Sequence, residues 1–219
     1  RDLHSFPTRR SSDLSNSRSE ARALLIHGSV AFRLGDFEGA ISCLEQGVAL
    51  SKKLGFIKLA ISGLNNLGAT LMLHNQIEKA TDCLKQASKL NENVGNQELE
   101  VTLLVNIGIG HSLLYEYEQF VSFTKKAIGL AKETGNQLNL AIATENLGNH
   151  VNQMGRYAEG LKYAQESRGI LEKIAPEDAY LLGNTWHVIG SSHYGLGQFD
   201  QADRKSTRLN SSHDQISYA

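Results

Sequence analysis

The run "LGNHVNQMGRYAEG", residues 147–160, decides the fold, because it is one of five versions of the same text. "HGSVAFRLGDFEGA" (27–40), "LGATLMLHNQIEKA" (67–80) and "IGIGHSLLYEYEQF" (107–120) precede it, each starting 40 residues after the last; "IGSSHYGLGQFDQA" (189–202) follows after 42. The two additional residues have a visible source in "KIAPED" (173–178), which lengthens one connection. A fixed period of this length signals stacked supersecondary units. One glycine recurs as Gly28, Gly68, Gly108, Gly148 and Gly190. A second position reads Gly35, Asn75, Tyr115, Gly155 and Gly197, and two residues later come Phe37, Ile77, Tyr117, Tyr157 and Phe199. Glycine and asparagine at the second position suit a turn.

Each copy reads as two helices. Between 57 and 74 the apolar residues Leu59, Ala60, Leu64, Leu67, Leu71 and Met72 form one face at the helical period. After the turn, Ile77, Ala80, Leu84, Ala87 and Leu90 begin a second stripe, and Gly55, Gly95 and Gly135 stand where a helix closes on a left-handed residue. No strand pattern occurs between 15 and 202, so the expected class is all-α, an array of antiparallel helix pairs. A glycine inside a helix costs about 1 kcal/mol relative to alanine, so five in register imply that paired helices approach where no side chain fits. Two residues before three of these glycines stand Asn66, Asn106 and Asn146. Asparagine forms helices poorly and its amide competes for backbone partners, so the row demands a compensating interaction.

The ends of the chain read differently. "SFPTRRSSDL" (5–14) and "DRKSTRLNSSH" (203–213) resemble translated sequencing adapter, so residues 1–14 and 203–219 are set aside as not native. The array then occupies 15–202, an internal stretch of something longer, with repeats at about 21–56, 57–96, 97–136, 137–177 and a truncated 178–202. Setting the ends aside removes six of the 22 Lys+Arg and four of the 23 Asp+Glu, leaving a net charge of about −3. A mildly acidic chain with no basic cluster gives no electrostatic reason to expect nucleic acid. No run approaches the ~20 apolar residues of a membrane span. Two cysteines, Cys43 and Cys83, do not make a disulfide framework, and a reducing, cytoplasmic setting is expected.

The run "WHVIGSSHYGLGQFDQA" (186–202) resembles the first helix and turn of a tetratricopeptide repeat, with Trp186, Ile189, Gly190, Gly197, Phe199 and Ala202 at the signature positions. The period resembles the long-helix branch found in kinesin light chains, spindle-orientation scaffolds and bacterial peptide-sensing regulators. The resemblance implies a right-handed α-solenoid and assigns Gly28, Gly68, Gly108, Gly148, Gly190, Phe37, Tyr117, Tyr157, Phe199 and Trp186 to structural roles. It also implies that the asparagine row faces a concave groove, where each amide can offer a bound peptide one donor and one acceptor. The alternative is that each amide bonds a neighbouring repeat and orders the array; both readings stand. The same geometry places Asn65, Val105, Ile109, Ser112, Glu145, Asn149, Asn152 and His187 on the groove wall. The lysines and arginines with which chaperone-binding relatives clamp a carboxylate are absent from the matching positions of repeats two to five. Departures from the pattern cluster in repeat three, where Tyr115 replaces the turn glycine and Phe120 replaces a small residue seen as Ala40 and Ala80; Gly160 departs in the other direction.

Chemistry is hard to find. No histidines sit three or four apart with a carboxylate in metal-ligand spacing. "GIG" at 108–110 lacks the third glycine and the preceding strand of a nucleotide-binding loop. No nucleophile–base pair or carboxylate dyad stands out. The expected function is accordingly non-catalytic: a scaffold that binds a peptide or protein segment in its groove, with no catalytic residue, cofactor, metal, nucleic acid or membrane. Two alternatives remain: a sensor module regulating a larger signalling enzyme or transcription regulator, whose partner is a domain of the same full-length chain, and a self-association module.

Overall fold

The computed structural model of the chain describes residues 11–202, with side chains from residue 16. The adapter-like ends lie outside the described residues, apart from 11–14, whose backbone opens the first helix. The chain divides after Asn96 into two compact units. The first holds α1 (Ser11–Arg33), α2 (Phe37–Lys53), α3 (Ile57–Leu73) and α4 (Ile77–Val94). The second holds α5 (Gln97–Leu113), α6 (Tyr117–Thr134), α7 (Gln137–Gln153), α8 (Tyr157–Ile174) and α9 (Ala179–Gly195), and residues 199–202 begin a further helix. No strand occurs among the described residues.

Every helix but α8, which runs out at Ala175 with φ −149°, stops where the recurrent turn residue takes a left-handed conformation. Gly35, Gly155 and Gly197 have φ of 80°, 77° and 73°, and Gly55, Gly95 and Gly135 have φ of 70–75°. Asn75 and Tyr115 adopt the same conformation at 58° and 60° without being glycine. The residue after each of the first three donates its N–H back five residues, as Asp36 does to the Ala31 carbonyl (3.0 Å), Arg156 to Val151 (2.9 Å) and Gln198 to His193 (2.9 Å). This satisfies carbonyls that the helix end would otherwise orphan. The following helix is often capped from the turn: Asp36 accepts from the Gly39 N–H, Asn136 from Asn139 and Asp178 from Leu181.

Within each unit, consecutive helices pack as pairs joined by short turns. The first helices of successive pairs also approach one another, α1 with α3, α5 with α7 and α7 with α9, whereas the backbones of the second helices do not meet. The first helices therefore form an inner layer. The pair is locked at the recurrent glycine: a methyl built on Gly28 would come within 2.6 Å of Leu44 Cγ, and one on Gly68 within 2.7 Å of Leu84 Cγ. Leu44 and Leu84 are wholly buried. Between pairs, the aromatic that opens a second helix leans on the next first helix, as Phe37 does on His74 (ring centroids 6.4 Å) and Tyr117 on His150 (5.0 Å). Tyr157 occupies the space above Gly195 in the same way.

Two glycine substitutions separate this lock from helix propensity. Gly68→Ala forces Leu84 aside, an overpacking cost of about 1–3 kcal/mol that outweighs the gain of about 1 kcal/mol from a better helix former, so thermal unfolding shifts downward. Gly129→Ala, on the exposed side of α6 with nothing within 4 Å, raises the midpoint through the same propensity gain. A Gly68→Ala protein as stable as the parent would show that Leu84 yields without cost.

Candidate functional site

The expected wall residues divide into three groups. Asn65 and Asn66 lie on α3 in the first unit, where Asn66 Nδ2 donates to Ser29 Oγ on α1 (3.2 Å). Asn66 also borders a cavity of about 340 Å³ between α1 and α3 that is open to Arg22 and Arg33. In the second unit, Val105 and Asn152 are not on an open wall. Val105 is 5% exposed and packs with Leu104, Ala127 and Ala143. Asn152 is 6% exposed, and its Nδ2 lies within hydrogen-bond distance of Ser192 Oγ (2.8 Å), the Val188 carbonyl (3.1 Å) and Ser191 Oγ (3.2 Å), while Ser192 Oγ reaches Asn152 Oδ1 at 3.1 Å. The reason lies opposite, on α8: Gly160 leaves the space that this amide fills. His187 is exposed, Asn106 is half-buried, and Trp186 is half-buried under the Arg168 guanidinium at 4.8 Å. Phe199, assigned to the repeat framework, is exposed among the described residues beside Tyr194.

Ile109, Ser112, Asn146 and Asn149 come together around one cavity of about 330 Å³, which Glu145 does not line. The end of α5 supplies Ile109, Ser112 and Leu113, and α7 supplies Asn146, Asn149, His150 and Gln153. Tyr115, Tyr117 and Phe120, from the turn and the start of α6, complete the lining. No Lys, Arg, Asp or Glu lines it. Phe120 is 2% exposed and packs against Leu147 and Val151 on α7, so the bulky residue of repeat three enters the next pair instead of its own. Tyr115 is 77% exposed and meets Tyr117 edge-on at 6.2 Å.

His150 was not expected here. It is 5% exposed, with Tyr117 at 5.0 Å and Phe120 at 4.8 Å between ring centroids, and its Nδ1 has no hydrogen-bond partner among the described residues. Burial lowers its pKa, favouring the neutral imidazole. The sequence carried a signal, since the equivalent positions hold Val30, Thr70, Gly110 and Ser192, and both hydroxyls donate within their own helix, Thr70 to the Asn66 carbonyl (2.8 Å) and Ser192 to the Val188 carbonyl (2.7 Å). Glu145, one turn before Asn149, is largely buried, and desolvation raises its carboxyl from the ordinary 4.5 to about 7. Among the described residues no group of three His, Cys, Asp or Glu could hold a metal ion, and no helix is long and apolar enough to cross a membrane. Cys43 and Cys83 are free thiols, and burial raises the pKa of Cys83.

Residues 21–54 match the tetratricopeptide repeat family. No curated protein matches the chain. Among solved structures, BtubC (BKLC) from P. vanneervenii aligns with a TM-score of 0.72 at 17% identity, covering 95% of this chain and 91% of that one. A Rap protein complexed with competence and sporulation factor aligns at 0.79 and 17% identity, over 95% of this chain and 59% of that one. A STAND protein with a tetratricopeptide repeat sensor, PH0952 from Pyrococcus horikoshii, aligns at 0.72 and 15% identity, over 92% of this chain and 30% of that one.

Two side chains report on these environments. A carboxyl whose folded pKa is raised favours the native state below about pH 4.5 and loses that advantage as pH rises through about 7, because the unfolded chain ionises first. Glu145→Gln therefore matches the parent in stability at pH 4 and exceeds it at pH 8, by up to about 3 kcal/mol, in urea titrations at the two pH values. Asn152→Ala strips the amide from α9 and lowers stability by about 2 kcal/mol, whereas Asn149→Ala stays within about 0.5 kcal/mol. Equal midpoints for these two alanine variants would remove the ordering role from Asn152.

Proposed function

We propose, for a chain whose helix pairs are tetratricopeptide-like repeats of about 40 residues, that it is a non-catalytic interaction module and that the inner layer of first helices in the second unit holds an extended segment of a protein partner. The supporting observation is the company kept by Asn146 and Asn149: two amides on the inner helix α7 beside an uncharged cavity with aromatic walls. Amides offer a donor and an acceptor together, which is what a peptide backbone requires, and a neutral wall leaves the choice of partner to shape and hydrogen bonding rather than charge. Tetratricopeptide repeats are a protein-interaction fold, typically without catalysis. The free thiols suit a reducing compartment.

A second reading is favoured by the similar structures. One is a Rap protein in complex with a factor and another carries its tetratricopeptide repeats as a sensor, and this chain spans only 59% and 30% of them. In this reading the segment bound, or the domain controlled, belongs to a larger signalling chain.

Peptides selected from a random library against the full chain test the wall directly. Asn106→Ala and Asn146→Ala should each weaken the selected peptides by roughly tenfold, about one hydrogen bond's worth, with the helical circular dichroism retained. Undiminished affinity in both variants would assign those amides to ordering the repeats.

A further inference from the structure

We propose that the cleft between α1 and α3 in the first unit is a second contact surface, which takes an extended acidic segment of a protein partner. Two carboxylates of that segment, about five residues apart, pair with Arg22 and Arg33, and an apolar side chain between them rests on Ile26 and Val30. The proposal rests on the reading of the chain as an interaction module, and not on the amides of the second unit.

The inner helices of the two units differ in charge. From residue 16 onward α1 carries Arg18, Arg22 and Arg33 against Glu20, and α3 carries Lys58 and no acidic residue. In the second unit α5, α7 and α9 carry Glu98, Glu100 and Glu145 and neither lysine nor arginine. The positive inner layer of the first unit is therefore local, in a chain whose formal net charge is −1. Arg18 is engaged over the Phe56 ring at 5.9 Å. Arg22 and Arg33 are exposed and enter no ion pair among the described residues. A guanidinium keeps its charge at any working pH and matches a carboxylate with two parallel hydrogen bonds.

The cleft lies between these two cations. Two cavities, of about 340 and 230 Å³, adjoin along it and share Ser29, Arg33 and Asn66. The hydrogen bond from Asn66 to Ser29 (3.2 Å) ties α3 to α1 and fixes its width. Ile26 and Val30, 54% and 47% exposed, stand between the arginines, and no Asp or Glu lines either cavity. Arg22 and Arg33 are about three turns apart on one helix, so they share a face at a separation of about 16 Å along the axis. An extended chain covers that distance in about five residues. A helical partner, about 10 Å across, is too wide for cavities of this size. A nucleic acid strand, with a charge about every 3.4 Å, would press phosphates without counter-charge against Ile26 and Val30. A peptide meets the pattern because carboxylates and an apolar side chain can alternate along it.

The test uses the full chain and two six-residue peptides blocked at both ends, titrated by calorimetry. One has glutamate at its first and last positions with alanine and leucine between; the other has glutamine in place of both glutamates. The glutamate peptide should bind roughly tenfold more tightly, and its advantage should shrink as salt is raised. Arg22→Gln and Arg33→Gln should each cut that advantage to roughly threefold, and the double variant should bring the two peptides to equal affinity. Glutamine is a good helix former, and retained circular dichroism checks the fold. Ile26→Ser should weaken both peptides alike. Lys53→Gln, on α2 and outside the lining, removes a positive charge elsewhere and should leave the discrimination intact. Equal binding of the two peptides by the parent, no binding of either, or discrimination that survives the double variant overturns the proposal. So does a loss on Lys53→Gln as large as on Arg22→Gln, which would reduce the effect to net charge, or displacement of the glutamate peptide by an equal concentration of oligothymidylate. Should the glutamate peptide fail while library peptides still lose affinity on Asn146→Ala, the second-unit wall stands and this surface is removed; if both fail, both are removed.

Discussion

The structure depends on a close approach that leaves no room for a side chain. Leu44 over Gly28 and Leu84 over Gly68 bring the two helices of a pair together at a separation that one methyl group would disturb. At Gly108 and Gly148 the neighbours are Thr124 Oγ1 and the Gly160 carbonyl, each 3.1 Å from where a Cβ would stand, so the approach persists while its partners change. Close packing of this kind fixes the pairing angle and with it the direction in which the first helix presents its outer residues. Everything on the inner layer inherits its aim from that contact.

Because the glycine holds each pair, the position twelve residues later is released to vary. Ala40 and Ala80 are small there, and their opposites eight residues earlier are Phe32 and Met72. Gly160 is smaller still, and Asn152 fills the space it leaves. Repeat three inverts the arrangement, with Phe120 large and Ser112 small. A phenylalanine buried against Leu147 and Val151 draws the packing into the following pair, and the serine cannot fill what is left behind. The cavity is the volume difference between those two exchanges, which is why it lies at repeat three.

Much of this was legible in the residues. The period, the left-handed turn positions and the mid-helix glycines each depend on local chemistry, and local chemistry is written consecutively. The departures at Tyr115 and Phe120 were visible too, although their consequence was not, since it required knowing that Phe120 turns toward α7. Val105 and Asn152 were placed on the wall because positions 40 apart were treated as equivalent. A helix face about 100° wide leaves its border residues undecided between wall and core, and tertiary neighbours settle them. For Asn152 those neighbours are Ser191 and Ser192, some 40 residues away and adjacent to each other in "GSSH". His150 escaped notice because an isolated histidine has no sequence partner, and burial between rings from another helix is a tertiary fact.

The amides, taken together, do two different jobs. Asn66 to Ser29, Asn139 to Thr102 and Asn152 to Ser192 each join one first helix to the next, and in doing so fix the spacing of the inner layer. Those bonds consume the amide, so a residue that orders the array has little left to offer a ligand. Asn146 and Asn149 sit instead beside open volume. A row of amides that recognises only main chain cannot distinguish one register of a peptide from the next, because every residue presents the same N–H and C=O. A wall of this kind therefore needs at least one pocket that reads a side chain. In the second unit, ring faces and wall amides meet at the cavity between α5, α6 and α7.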